Sequence, residues 1–188
     1  MKTKDEIRKA IRVQRAQMTL DSIGKHSKAA LARLKELDEL KQASRIACYL
    51  AKPYEVQTQR FVEDLLTEGK QVCVPRHIDR QYGYAWSWVH PAAAWRDGPW
   101  RIAEPAHFDP VDLETIDLAI VPAVSLDLQG NRVGHGGGHV DRLLSDLKCT
   151  RVGVVFDFQL LTDEIPMEEH DVPVQIIVTD KRTHIVSR

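Results

Sequence analysis

The sequence predicts an α/β protein: a three-layer, open and mostly parallel sheet with helices on both faces. Three observations lead there. Leu118 to Val121 and Val152 to Phe156 are unbroken apolar runs, as expected of strands covered on both faces. The apolar run Ile46 to Leu50, a helical pattern from about Thr58 to Glu68 closed by Gly69, and a second run Val72 to Val74 ended by Pro75 make a strand, helix, strand unit. Apolar segments recur at short intervals with no repeat, low-complexity tract or Pro/Gly/Ser linker between them, so residues 1–188 are expected to form one domain.

The remaining elements follow in chain order. At the start, Ile7, Ile11, Gln14 and Met18 fall on one helical stripe and Lys4, Arg8, Arg12 and Arg15 on another. A second helix is predicted from about Asp21 to Leu40, capped by Asp21 or Ser22, with Ile23, Ala30, Leu31, Leu34 and Leu37 facing inward. Tyr84, Trp86 and Trp88 alternate with smaller residues in a strand with one aromatic face. A helix from about His139 to Leu147 separates the two buried runs, and Val174 to Thr179 supplies a last strand. Ligands in such sheets bind beyond the C-terminal strand ends, here after Leu50, Val121 and Phe156.

Composition excludes several classes. With 43% hydrophobic and 28% charged residues the chain is neither disordered nor collagen-like. No apolar run approaches the length of a membrane span, and the first residues alternate charges with single apolar side chains, so a soluble, cytoplasmic protein without membrane contact is expected. Cys48, Cys73 and Cys149 are too far apart for a metal or redox pair and read as buried thiols. The net charge of −1 argues against nucleic acid, yet residues 1–45 hold 12 Lys+Arg against 6 Asp+Glu. That basic end suits a small anion, with Lys4, Arg8 and Arg12 as its contacts. Nothing signals assembly, and a monomer is expected.

The segment Asn131 to Arg142 is the most unusual. Gly134, Gly136, Gly137 and Gly138 remove the Cβ atoms that keep a ligand off the backbone, and a helix follows, so the loop suits phosphate. It is neither a Walker A loop nor a dinucleotide fingerprint, since His139 stands at the third glycine's place. A flexible surface loop is the competing reading. Asp141 behind it and Asp171 before the last strand are candidates for Mg2+, although each also reads as an ordinary helix-terminal or loop acid. Glu55, just past the first strand, suits the paired N–H donors of an amino-heterocycle, and Trp100 is a candidate stacking surface.

Taken in order, Lys4-x3-Arg8, Tyr54-Glu55-Val56-Gln57-Thr58, Trp100-x-Ile102-x-Glu104-Pro105, Val121 to Asp127, Gly130-x-Arg132-x-Gly134-x-Gly136-Gly137-Gly138 through Asp141-Arg142, and His170 to Val174 resemble the 5-formyltetrahydrofolate cyclo-ligase family, also called 5,10-methenyltetrahydrofolate synthetase. The glycine block is the most specific. The resemblance implies an open α/β sheet similar to that of some sugar-phosphate isomerases and CoA transferases. It also implies ATP- and Mg2+-dependent closure of 5-formyltetrahydrofolate to 5,10-methenyltetrahydrofolate, by phosphorylation of the formyl oxygen and attack by N10. On its terms Lys4, Arg8 and Arg132 through Val140 match ATP positions, and Asp141 and Asp171 match Mg2+ positions. Leu50 and Glu55 match folate positions, and His135 to His139 face the folate as well. Arg132, His135 and Asp141 become the candidate catalytic residues.

One departure stands out: the family commonly carries aromatic residues before the Asp, and this chain has His139-Val140. A phosphate beside His139 would raise the imidazole pKa and favour its charged form. The competing functions are a sugar-phosphate isomerase, which needs neither ATP nor Mg2+, and a folate- or nucleotide-binding protein without turnover.

Overall fold

The computed structural model describes residues 2–79, 83–99 and 102–187. It opens with α1 (Lys4–Ala16), whose Thr3 and Glu6 cap each other's backbone N–H groups. Its buried stripe is Ile7, Ile11 and Arg15, spaced i, i+4, i+8; Gln14 lies outside it, exposed. Arg15 therefore leaves the predicted cationic ridge and enters the interior. The predicted second helix divides into α2 (Leu20–Glu36) and α3 (Asp38–Gln42), with Leu37 in extended backbone between them. The cap of α2 is Thr19, whose side chain accepts the Ser22 N–H, in place of Asp21 or Ser22. Splitting the helix lets Leu40 reach the core that Ile23, Ala30 and Leu34 occupy.

β1 (Arg45–Cys48), α4 (Gln59–Thr67) and β2 (Gln71–His77) form the expected unit. β2 runs through Pro75, because its pairing with β1 ends at Cys73 and a proline beyond that point is asked for no ladder bond on that side. β3 (Tyr84–Val89) pairs antiparallel with β2, and a hairpin of β4 (Trp95–Asp97) and β5 (Ala103–Pro105) follows. Then come β6 (Leu118–Pro122), β7 (Ser125–Asp127), β8 (Arg132–Val133), α5 (His139–Ser145) and β9 (Thr150–Val154), then β10 (Leu160–Leu161), β11 (Ile176–Val178) and β12 (Thr183–Ile185). β11 is not the last strand, as β12 adds an antiparallel edge.

The main sheet has the order β12-β11-β9-β6-β1-β2-β3. Its five central strands are parallel and apolar on both faces. Ile46, Cys48, Leu118, Ile120, Val152 and Val154 point to the layer of α2, α3 and α4. Ala47, Ala119, Val121 and Ile177 point to the opposite layer, where α5 contributes Leu143 and Leu144. Beside it, β10, β7 and β8 make a small sheet on which α1 rests through Ile7 and Ile11. Each such side chain stabilises by roughly 1.5–3 kcal/mol on burial, enough to hold α1 in place. From β1 the chain crosses to β2 on one side, whereas β6 lies on the other, so a crevice opens beyond the C-terminal ends of β1 and β6. Among the described residues no helix is long and apolar enough to cross a membrane. Cys48 and Cys73 are buried and Cys149 half-buried, and burial pushes all three thiols up, away from reactivity.

Candidate functional site

Beyond that crevice lies a cavity of about 540 Å3 whose walls include Lys4, Arg8, Arg132, Asp141, Asp171 and the loop Gly134 to Gly138. α1 supplies the first two, β8 the third. Arg8 Nε donates to the Gly134 carbonyl at 2.8 Å, so the helix holds the loop as well as charging the cavity. Gly136 sits at φ +97°, and a Cβ there would meet the Arg8 guanidinium at 3.6 Å. Lys4 pairs with Asp171 and, at 3.2 Å, with Glu168. Burial acts to raise the Asp171 pKa, but the Lys4 ammonium and the Glu168 N–H outweigh it and hold the carboxyl below its ordinary value. Lys4 moves the opposite way: burial lowers it, and Asp171 and Glu168 together raise it.

Arg132 lies beneath the glycines with its side chain 1% exposed, and its counter-charge is Asp141. Its Nε and Nη1 are buried and have no acceptor among the described residues. A Cβ at Gly134 would stand 3.0 Å from that Nη1, which explains a glycine there. A buried guanidinium with spare donors, flanked by Lys4, Arg8 and a Cβ-free loop, fits a polyphosphate. The seven-residue α5 adds little dipole, so the positive charge of the cavity comes mainly from the side chains of Lys4, Arg8 and Arg132.

Both predicted metal residues reach this cavity, each already engaged by a cation. The hydrogen bonds fall on Oδ1 of Asp141 and Oδ2 of Asp171. No group of three or more His, Cys, Asp or Glu among the described residues is placed to hold a metal ion. Two hard carboxylates are the donor type that suits Mg2+, which would take its other ligands from phosphate and water.

A smaller pocket of about 110 Å3 adjoins, lined by Leu50, Glu55, Tyr84, Glu104, His135 and His139 among others. Glu55 is buried; Oε1 lies 2.9 Å from His135 Nε2, and Oε2 accepts the Lys52 N–H at 2.8 Å. Burial pushes this carboxyl up, but those two bonds and the Arg15 charge outweigh it and leave the pKa below its ordinary value. Arg15 is affected in turn: burial lowers its pKa, partly offset by Glu55. Glu104, also buried, accepts from Arg96 at 2.6 Å and from the His77 N–H at 2.9 Å, which ties the β4–β5 hairpin to β2.

His139 departs from expectation. Burial lowers its pKa, and Arg142, Lys52 and His77 lower it further. The ring is thus a neutral acceptor, taking a hydrogen bond from Arg142 on Nδ1 at 2.8 Å, with Tyr84 edge-on at 5.4 Å. The charged imidazole inferred above requires phosphate to overcome these neighbours.

Among the predicted residues, Lys4, Arg8, Arg132, Gly134 to Gly138, His135, His139, Val140, Asp141 and Asp171 converge on the larger cavity. Leu50 and Glu55 line the smaller one, which shares His135, His139 and Val140 with the larger. Arg12 joins neither, and Trp100 lies outside the described residues. Lys52, Tyr84 and Glu104 line the site without having been picked as ligand residues. For Lys52 the only signal was a lone cation just past a strand end.

These features define a class: an α/β protein with a two-compartment site at a topological switch point, one compartment lined by the cations Lys4, Arg8 and Arg132 and one built around the buried Glu55. Comparison with known proteins makes this specific. Residues 1–180 match the model of the 5-formyltetrahydrofolate cyclo-ligase family, and the chain belongs to that family. It is 30% identical over 178 residues to the 5-formyltetrahydrofolate cyclo-ligase of Escherichia coli K12, covering 92% of this chain and 97% of the relative. With the Saccharomyces cerevisiae 5-formyltetrahydrofolate cyclo-ligase it shares 26% over 204 residues, 95% of each chain. The NMR structure of Aquifex aeolicus 5,10-methenyltetrahydrofolate synthetase superposes with a TM-score of 0.87 at 30% identity, covering 98% of this chain and 93% of that one.

Proposed function

We propose that the protein catalyses the ATP- and Mg2+-dependent cyclisation of 5-formyltetrahydrofolate to 5,10-methenyltetrahydrofolate, with release of ADP and phosphate. The observation that carries this reading is the wall shared by the two cavities. A triphosphate held by Lys4, Arg8 and Arg132 would end against His135 to His139, and a heterocycle held by Glu55 would end against the same wall, which lines both cavities in part. Alignment of a formyl oxygen with a terminal phosphate is the main demand of such a reaction, because positioning and charge neutralisation supply most of the catalysis.

ATP would supply the phosphoryl group that turns the formyl oxygen into a leaving group, and Mg2+, held by Asp141 and Asp171, would neutralise phosphate charge. The chain's own residues do the rest. Glu55, kept ionised, accepts N–H donors from the pterin edge and fixes its rotation. His135 holds Glu55 from the phosphate side, coupling the two compartments. Arg132 offers its spare donors where charge accumulates. His139, propped by Arg142 and Tyr84, closes the space where the family commonly has an aromatic ring.

The test is the absorbance of the methenyl product, followed with 5-formyltetrahydrofolate in the presence and absence of ATP and of a Mg2+ chelator. Product should form only when nucleotide and metal are both present. Turnover without nucleotide, or binding of both ligands with no turnover at any enzyme concentration, would overturn the proposal.

A further inference from the structure

Arg12 and Arg15 belong to neither compartment described above; they line a third cavity of about 370 Å3 together with Arg8, Lys52, Tyr54 and His135. No carboxylate among the described residues lines it. Arg15 is 8% exposed; its Nη2 donates to the Ala123 carbonyl at 3.0 Å, and its Nε has no partner among the described residues. Arg12, exposed one turn earlier on α1, makes no hydrogen bond or ion pair among the described residues. Besides Arg8, two guanidiniums, one fixed and one with room to adjust, face a basin with no acid among its described lining residues.

The position of this basin is as informative as its charge. Lys52 and His135 line all three cavities, so the three meet at one junction. For a ligand with its heterocycle against Glu55 and its reacting atoms against the glycine loop, the third cavity offers room for the rest of its length, between the half-exposed Tyr54 and Arg12. A folate continues from its pterin through an aminobenzoyl ring to a glutamyl group with two carboxylates, and paired N–H donors of arginine match carboxylates in shape and charge.

We propose that Arg12 and Arg15 form a carboxylate subsite for the glutamyl end of the substrate, not part of the ATP site. The inference rests on the folate reading of the smaller pocket. It makes Arg12 a specificity determinant: it distinguishes a folate from the same pterin without its amino-acid tail.

The test is titration calorimetry of 5-formyltetrahydrofolate and of the tail-less 5-formyltetrahydropteroate into the parent chain, Arg12→Gln, Arg12→Lys and Arg12→Glu, with ATP titrated separately. The parent should favour the tail-bearing ligand, and Arg12→Gln should shrink that preference by about three- to tenfold, the range for a partly exposed charged pair. Arg12→Lys should retain part of the preference and Arg12→Glu should abolish it. Raised salt should reduce the parent's preference towards that of Arg12→Gln. Equal losses for both folate ligands, or a loss confined to ATP, would overturn the assignment. The outcome is separable from the proposed activity. A parent that binds with a tail preference yet yields no methenyl product sinks the activity alone, and full turnover with an unchanged preference in Arg12→Gln sinks the subsite alone.

Discussion

Asp141→Asn separates the two roles that Asp141 combines. The amide keeps an oxygen in place but removes the negative charge opposite Arg132, whose side chain is 1% exposed, whose Nη2 donates to Asp141, and whose Nε and Nη1 have no acceptor among the described residues. Removing one partner of a buried ion pair costs about 3–5 kcal/mol, because the remaining charge is left uncompensated. Asp141 is itself 14% exposed and the amide can still accept a hydrogen bond, so the lower end, about 3 kcal/mol, applies. For a chain of this size each kcal/mol moves the melting temperature by about 2–4 °C, which predicts a fall of roughly 6–12 °C. Thermal unfolding followed by circular dichroism at neutral pH, without ligand, reads this directly. ATP added without Mg2+ should restore more of the loss in the variant than it adds to the parent, since the polyanion replaces the missing counter-charge. A melting temperature equal to the parent's would refute the reasoning, for it would mean that Arg132 has another counter-charge.

Three further outcomes follow from the same geometry. Glu55→Ala should weaken folate binding more than ATP binding and Arg8→Ala the reverse, each by about tenfold or more; separate titrations decide, and similar losses of both ligands would make these residues structural. His139 has a lowered pKa, so the stability it contributes is fully present above its unfolded value of about 6.5 and is lost as pH falls through the lower folded value. Melting curves of the ligand-free parent should therefore decline below that pH and His139→Phe should decline less, whereas parallel profiles would show that the Arg142 bond does not matter. Gly130 stands at φ +82°, and a Cβ there would fall 2.2 Å from the Val174 carbonyl, so Gly130→Ala should cost at least about 1–2 kcal/mol while leaving the ratio of ATP to folate affinities as it was. A selective loss of either ligand would contradict that purely structural role.

Much of this was legible in the sequence because it depends on local periodicity and residue chemistry. The apolar runs that became β6 and β9 read as doubly covered strands, and the i, i+4 spacing of Lys4 and Arg8 placed both on one helix edge wherever that helix went. The glycine block announced a backbone open to a ligand. Other features escaped for definite reasons. Arg15 shares the register of Ile7 and Ile11, but its charge argued for solvent, and only the Ala123 carbonyl and the nearby Glu55 explain its burial. The break at Leu37 has no glycine or proline to mark it; it comes from packing Leu40 into the core. The neutral state of His139 depends on its burial, on Arg142 one turn along the same helix, and on Lys52 and His77, which come from distant segments.

The division has one physical cause. Periodicity, capping and the charge of a segment are properties of neighbours along the chain, so the sequence by itself determined the α/β class, the cationic helix and the glycine loop. Which loops meet is a property of strand order. Because β1 lies between β2 and β6, Glu55 comes within 2.9 Å of His135, 80 residues away, and α1, resting on the small sheet, brings Arg12 to a third cavity beside Lys52 and His135. Tertiary structure alone decided those contacts, because they are made between segments that only the folded sheet brings together.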